Sequence, residues 1–173
     1  TPPAHPIIVA GSTGSRGTTA RLMRAVARLP QGAVVLPGYD FDLPELAWES
    51  LDDGLTAQDH PQARFRSFLR SLELPMSAVQ HWDGTPPPCP ERNRLVSLAL
   101  RPAPVTDQWM EEGPALVGLD RAVEGLTLIE APSPRAEALS IALLLRDAAE
   151  RNETAALITP DRGLTRQVTA ALD

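Results

Sequence analysis

Lysine is missing from this chain: all 16 of its basic residues are arginine. The absence excludes a phosphate-binding P-loop, whose signature ends in Gly-Lys-Ser or Gly-Lys-Thr. It also excludes any mechanism that forms a Schiff base on a lysine side chain.

Cysteine is nearly absent as well. The single thiol, Cys89, stands between prolines and can form neither an internal disulfide nor a cysteine-rich metal site. We therefore expect a reducing, cytoplasmic compartment. No apolar run approaches the ~20 residues that a membrane span needs, and no signal-peptide pattern is present, so we expect no membrane partner.

Positive charge is also in short supply, because 22 acidic residues against 16 basic ones give a net charge of −6. A free-standing nucleic-acid binder normally presents a basic face, so tight DNA binding by this chain alone is not expected. The three histidines, His5, His60 and His81, are scattered and lack metal-ligand spacing. We expect neither a metal site nor a catalytic residue.

The opening stretch carries the main candidate site. An apolar run, residues 7–10, stops at Gly11, Ser12, Thr13, Gly14, Ser15 and Arg16, and a helical pattern follows at once. Such an order is typical of a buried strand, a tight loop and a helix N-terminus, where backbone N–H groups can hold a phosphate. The alternative is a tight connection that uses glycine for backbone freedom and Ser or Thr for capping.

The rest of the chain indicates an α/β fold in three parts. Residues 1–61 form a first α/β part, 62–124 a helical insertion and linker, and 125–173 a second α/β part. We predict a parallel sheet with flanking helices, in a helicase motor-like, Rossmann- or P-loop-like topology. Its strands are expected at residues 7–10, 33–36, 125–130 and 154–159. A start without methionine and an end inside a helical pattern suggest a fragment of a longer protein.

Acidic and turn-forming residues dominate positions 39–61. Two interpretations stand for this stretch: a carboxylate pair, Asp40 and Asp42, that contributes to a ligand or metal site, or a solvated loop with turn-forming aspartates. If the first two strands are parallel, this stretch shares an edge of the sheet with the Gly11–Ser15 loop.

Several separate blocks resemble one family. Residues 130–142 and 154–161 are similar to the start of the second motor domain of UvrD- and RecB-like helicases. More closely, the chain resembles the AddB subunit of AddAB-type double-strand-break repair helicase–nucleases, in their alphaproteobacterial form. The blocks that carry the second likeness are Ala10–Ser15, Leu29–Gly38, Phe41–Pro44, Asp59–Pro61 and Ala155–Arg162.

The resemblance implies a scaffold in DNA end processing for homologous recombination. The family's ATP and magnesium sites, its nuclease centre and its iron–sulfur cluster would lie elsewhere in the parent protein. Thr159 stands where active relatives carry a nucleotide-contacting arginine, and Arg162 follows three residues later. The resemblance therefore implies a non-catalytic segment that contacts an AddA-like subunit, and DNA through the full complex, with Gly11–Arg16 and Arg162 as candidate backbone contacts.

Two other functions stay open. The chain could be a nucleotide- or phosphate-binding enzyme domain that uses the Gly11–Ser15 loop, or a protein-interaction domain without DNA contact.

Overall fold

The computed structural model describes residues 3–14, 17–51 and 59–173. The chain divides into two compact units, an N-terminal unit, Thr1–Glu124, and a C-terminal unit, Gly125–Asp173. The N-terminal unit contains β1 Ile7–Val9, α1 Gly17–Ala27, β2 Gly32–Val34, α2 Glu45–Ser50, α3 Ala63–Ser71, α4 Pro90–Ala99, α5 Gln108–Glu112 and α6 Leu119–Ala122. The C-terminal unit contains α7 Pro134–Glu150 and α8 Arg162–Leu172.

The α/β prediction is wrong for this chain as a whole. The structure is mostly helical (51%), and within the described residues the sheet has two strands. Strands expected at 125–130 and 154–159 are not formed: both segments lack strand pairing. A strand depends on hydrogen bonds to a neighbouring strand, which a β-prone sequence cannot supply by itself. The helicase motor-like sheet is thus overturned, and so is the α/β character of residues 125–173.

One predicted βαβ unit does form, at the start of the chain. β1 and β2 pair in parallel, with Ile7 opposite Gly32 and Val9 opposite Val34. The turn between α1 and β2 is tight, and the Gly32 N–H donates to the Leu29 carbonyl at 3.1 Å. A Cβ at position 32 would lie 1.8 Å from the Val26 carbonyl oxygen, so this turn has room for glycine alone.

The core of the N-terminal unit corrects the solvated-loop interpretation for residues 39–51, whereas residues 52–58 of the same stretch lie outside the described residues. Trp48, in α2, is 2% exposed and ranks with Phe65 and Met23 among the most buried side chains described. Tyr39 and Leu43 belong to the same core. Glu45 and Glu49 stay at the surface, because the short helix after Pro44 turns Ala47 and Trp48 inward.

Buried polar groups join the later helices of this unit. Arg101, just after α4, is 6% exposed and donates to the Gln108 side chain at 2.7 Å and to the Ser97 carbonyl and hydroxyl at 2.9 Å. It also pairs with Glu112 at 3.2 Å. Arg92 donates to the carbonyls of residues 122 and 124 and thereby caps α6.

The C-terminal unit is a helical pair with a small core. The Ser133 hydroxyl accepts from the Ala136 N–H at 3.2 Å, as the Ser-Pro start of α7 predicts. The Asp161 carboxylate accepts from the Gly163 N–H and caps α8. Three side chains form the buried centre of the pair, those of Ala138, Ala142 and Val168.

Candidate functional site

The Gly11–Gly14 loop is shaped by hydrogen bonding within itself. Gly11 and Gly14 have φ angles of 76° and 68°, which favour glycine. The Gly14 N–H donates to the Ser12 hydroxyl at 3.2 Å, so this donor is used inside the loop. A Cβ at position 14 would lie only 3.2 Å from the Met23 sulfur, because the loop packs closely against α1. Anion binding by this loop stays a prediction.

The remaining candidate contacts are dispersed. Ser15 and Arg16 lie outside the residues that the structure describes. Arg162 belongs to the C-terminal unit, where it is the first residue of α8 and is exposed. Within the described part of the chain, then, Gly11, Ser12, Thr13 and Gly14 are the candidates that lie together.

Asp40 and Asp42 follow β2 and are held in a tight turn. The Asp42 N–H donates to the Asp40 carboxylate at 2.9 Å. Burial and the neighbouring Asp40 carboxylate raise the pKa of Asp42. Gln62, which is 6% exposed, fixes this turn: its amide donates to the Gly38 carbonyl at 2.8 Å and accepts from the Asp40 N–H at 3.1 Å. The sequence analysis missed Gln62, for which the available signal was a polar residue just before an amphipathic helix.

Aromatic side chains gather around Tyr39. Its ring centroid lies 4.9 Å from that of Phe41 and 5.6 Å from that of Trp48, both in tilted or edge-on geometry. Phe41 in turn stacks on His81 with centroids 3.8 Å apart. The Tyr39 hydroxyl donates to the Met76 carbonyl at 3.2 Å, and burial raises the pKa of Tyr39. The spacing of Tyr39, Phe41 and Trp48 in the sequence gave no sign of this cluster.

Two cavities border this aromatic cluster. The first, of about 550 Å³, is the aromatic cavity; the residues that line it include Tyr39, Phe41, Glu45, Trp48, Glu49, Arg66, Met76 and Val79. The second, of about 390 Å³, shares Tyr39, Phe41 and Val79 and extends to His81 and Trp82, and its lining includes no carboxylate. The aromatic cavity differs in carrying two carboxylates, and its volume lies in the range of ligand sites.

Across residues 3–14, 17–51 and 59–173, no three His, Cys, Asp or Glu side chains are grouped as a metal site would require. In the same residues, none of the helices has the length and apolar character to cross a bilayer. Comparison of the chain with protein-family models, curated proteins and solved structures finds no match.

His60 links the start of α3 to the end of α4. Its Nε2 lies 2.7 Å from the Leu100 carbonyl oxygen, and its Nδ1 accepts from the Gln62 N–H at 3.1 Å. Because a carbonyl can only accept, Nε2 carries the proton. Because Nδ1 accepts a hydrogen bond, it carries none, and the ring is therefore neutral. Burial lowers the pKa of His60, against the opposing effects of the Leu100 bond and of Asp40.

This arrangement predicts a loss of stability in mild acid. As pH falls below about 6.5, the unfolded chain takes up a proton on His60 before the folded chain does. The free energy of unfolding should hold steady above that pH and decline as pH falls toward the lower folded pKa. Urea unfolding between pH 8 and pH 5, followed by tryptophan fluorescence, measures this slope.

The matched variants are His60→Gln and His5→Gln, because His5 is exposed. His60→Gln should flatten the slope, whereas His5→Gln should leave it as it is. Equal slopes in all three proteins would contradict the assignment of the pH dependence to His60.

Proposed function

We propose that this chain is a non-catalytic scaffold segment of an AddB-type helicase–nuclease subunit, which helps to process DNA double-strand breaks for recombination. The partner on this proposal is an AddA-like subunit, and DNA is contacted through the assembled complex. The sequence blocks around Ala10–Ser15, Leu29–Gly38 and Ala155–Arg162 support the choice of assembly.

The exposed aliphatic side chains of the C-terminal unit are the observation that carries the scaffold role. Leu128 is 86% exposed and Ile158 is 94% exposed. On α7, Leu139 and Leu143 lie one turn apart, and each is half exposed or more. Large aliphatic side chains exposed in this number mark surfaces that bind other proteins.

The charge of the chain supports an indirect role toward DNA. With a net charge of −6, the chain would gain little from neutralising phosphates, which supplies most non-specific DNA affinity. A segment that binds a partner subunit, and leaves most phosphate contacts to other parts of the complex, fits this charge.

Substitution of the exposed aliphatic residues tests the proposal. Leu128→Ser combined with Ile158→Ser should weaken binding of the full subunit to its AddA-like partner roughly thirtyfold, since about 2 kcal/mol of apolar burial is lost. Both side chains are exposed in the structure, so folding should be unaffected. Calorimetric titration of the two purified subunits measures the affinity.

Val117→Ser is the matched control, because Val117 is 70% exposed but lies in the N-terminal unit. It should bind the partner as the natural chain does. Unchanged affinity of the double variant would overturn the proposed surface, and tight ATP binding by this chain would overturn its non-catalytic role.

A further inference from the structure

The geometry points to a second interaction site, the aromatic cavity of the N-terminal unit, as a receptor for an arginine side chain of a partner protein. This inference goes beyond the scaffold role and does not depend on which assembly the chain joins. It is carried by the walls of the cavity, by the carboxylates at its rim and by a guanidinium that the chain itself places there.

The walls of the aromatic cavity suit a flat cation. Aromatic ring faces carry partial negative charge and attract cations, guanidinium groups in particular, and Phe41 is the ring of this lining that solvent reaches, with Tyr39 and Trp48 buried behind it. Phe41 is 42% exposed, so an incoming group can reach it from solvent. Pro75 and Met76 add apolar surface against which the methylene stem of an arginine can pack.

The rim supplies the complementary charge. Glu45 and Glu49 are four residues apart on α2, so both carboxylates lie on one face of the helix, and both are exposed. Like charges at this spacing destabilise a helix slightly. Within the described residues neither carboxylate is in an ion pair, and a cation bound between them would relieve their repulsion.

Arg66 provides an internal example of the same chemistry. Its guanidinium carbon lies 5.8 Å from the centre of the Trp48 ring, at the wall of the cavity. The aromatic cluster thus already holds one guanidinium group. The two glutamates still outnumber Arg66 in the lining, so the cavity favours a cation over a phosphate or a carboxylate.

A short peptide of alternating arginine and glycine is the probe, added to the full chain and followed by NMR chemical shifts. The peptide should bind in a saturable manner and shift the side-chain resonances of Tyr39, Phe41 and Trp48. An otherwise identical peptide with citrulline in place of arginine keeps the planar shape but lacks the charge, and a carbonyl oxygen replaces one of the terminal nitrogen donors. It should bind about tenfold more weakly.

Paired variants separate this site from general attraction to an acidic chain. Glu45→Gln with Glu49→Gln should weaken arginine-peptide binding about tenfold. Glu111→Gln with Asp120→Asn removes the same charge from exposed positions outside the cavity, and should leave binding nearly unchanged. Far-ultraviolet circular dichroism checks that both proteins stay folded.

Four outcomes would overturn the inference. Equal weakening in the two charge-matched pairs would mean that the peptide responds to net charge alone. Equal binding of the citrulline peptide would mean that the cavity accepts a neutral planar group. Absence of saturable binding, or shifts confined to residues outside the cavity, would mean that it takes no arginine.

Discussion

Replacing Arg101 with methionine should lower the free energy of unfolding of the N-terminal unit by about 3 kcal/mol. The substitution keeps a long apolar stem but removes donors that now serve Ser97, Gln108 and Glu112. Ser97 and Gln108 are themselves buried, so their oxygens would lose a partner without gaining water. A buried acceptor without a partner costs about 1–3 kcal/mol.

Urea unfolding monitored by fluorescence measures this loss in the right part of the molecule. Trp48, Trp82 and Trp109 are the three tryptophans of the chain, and all lie in the N-terminal unit. Arg94→Met is the matched control, because Arg94 lies in α4, the helix that Arg101 follows, but is exposed. We expect that control to stay within about 0.5 kcal/mol of the natural chain. Equal effects of the two substitutions would contradict the role given to the buried network.

Replacing Gly32 with alanine is the second large effect, and we expect a loss of about 3 kcal/mol. The new Cβ would stand 1.8 Å from the Val26 carbonyl oxygen and 3.0 Å from the Leu29 Cβ. A backbone carbonyl cannot move aside as a flexible side chain can. The turn between α1 and β2 would therefore have to open, which disturbs the pairing of Gly32 with Ile7.

Gly113→Ala is the control for the general effect of adding a methyl group. A Cβ at position 113 would meet no atom within 4 Å, and its backbone is helical with φ −54°. This substitution should be neutral or stabilise the chain by up to about 1 kcal/mol. A Gly32→Ala protein with natural stability and natural backbone shifts at Ile7 would disprove the close approach.

Local sequence signals are sufficient to place the longer helices. Ser133 followed by Pro134 predicts the start of α7, which begins at Pro134. The turn at residues 160–162 predicts α8, which begins at Arg162 and is capped by Asp161. Apolar spacing around Phe65, Phe68 and Leu69 predicts α3 and its buried face.

Strands and buried loop residues were predicted poorly. The apolar segments 125–130 and 154–159 have β-prone sequences but no paired neighbour in the part of the chain that the structure describes. The acidic side chains of residues 39–51 favoured a solvated loop, whereas Leu43, Ala47 and Trp48 belong to the hydrophobic core. Ala47 and Trp48 follow Leu43 by four and five residues, and this helical spacing across Pro44 was the available signal for α2.

The two candidate sites show the same difference between features that a local pattern predicts and features that depend on long-range contacts. The Gly-Ser-Thr loop was visible in the sequence because glycine and hydroxyl residues follow an apolar run, a local pattern. The aromatic cavity was not visible, because Tyr39 and Trp48 meet residues from 75–79 only after the chain has passed through α3.

By itself the sequence determined the absence of lysine chemistry, the acidic charge and most helix positions, since helix hydrogen bonds and caps join residues within about four positions. Only the tertiary structure decided which β-prone segments pair, which acidic stretch enters the core and where the aromatic rings meet. Each of those outcomes depends on contacts between residues distant in the chain, whose free energy no local pattern contains.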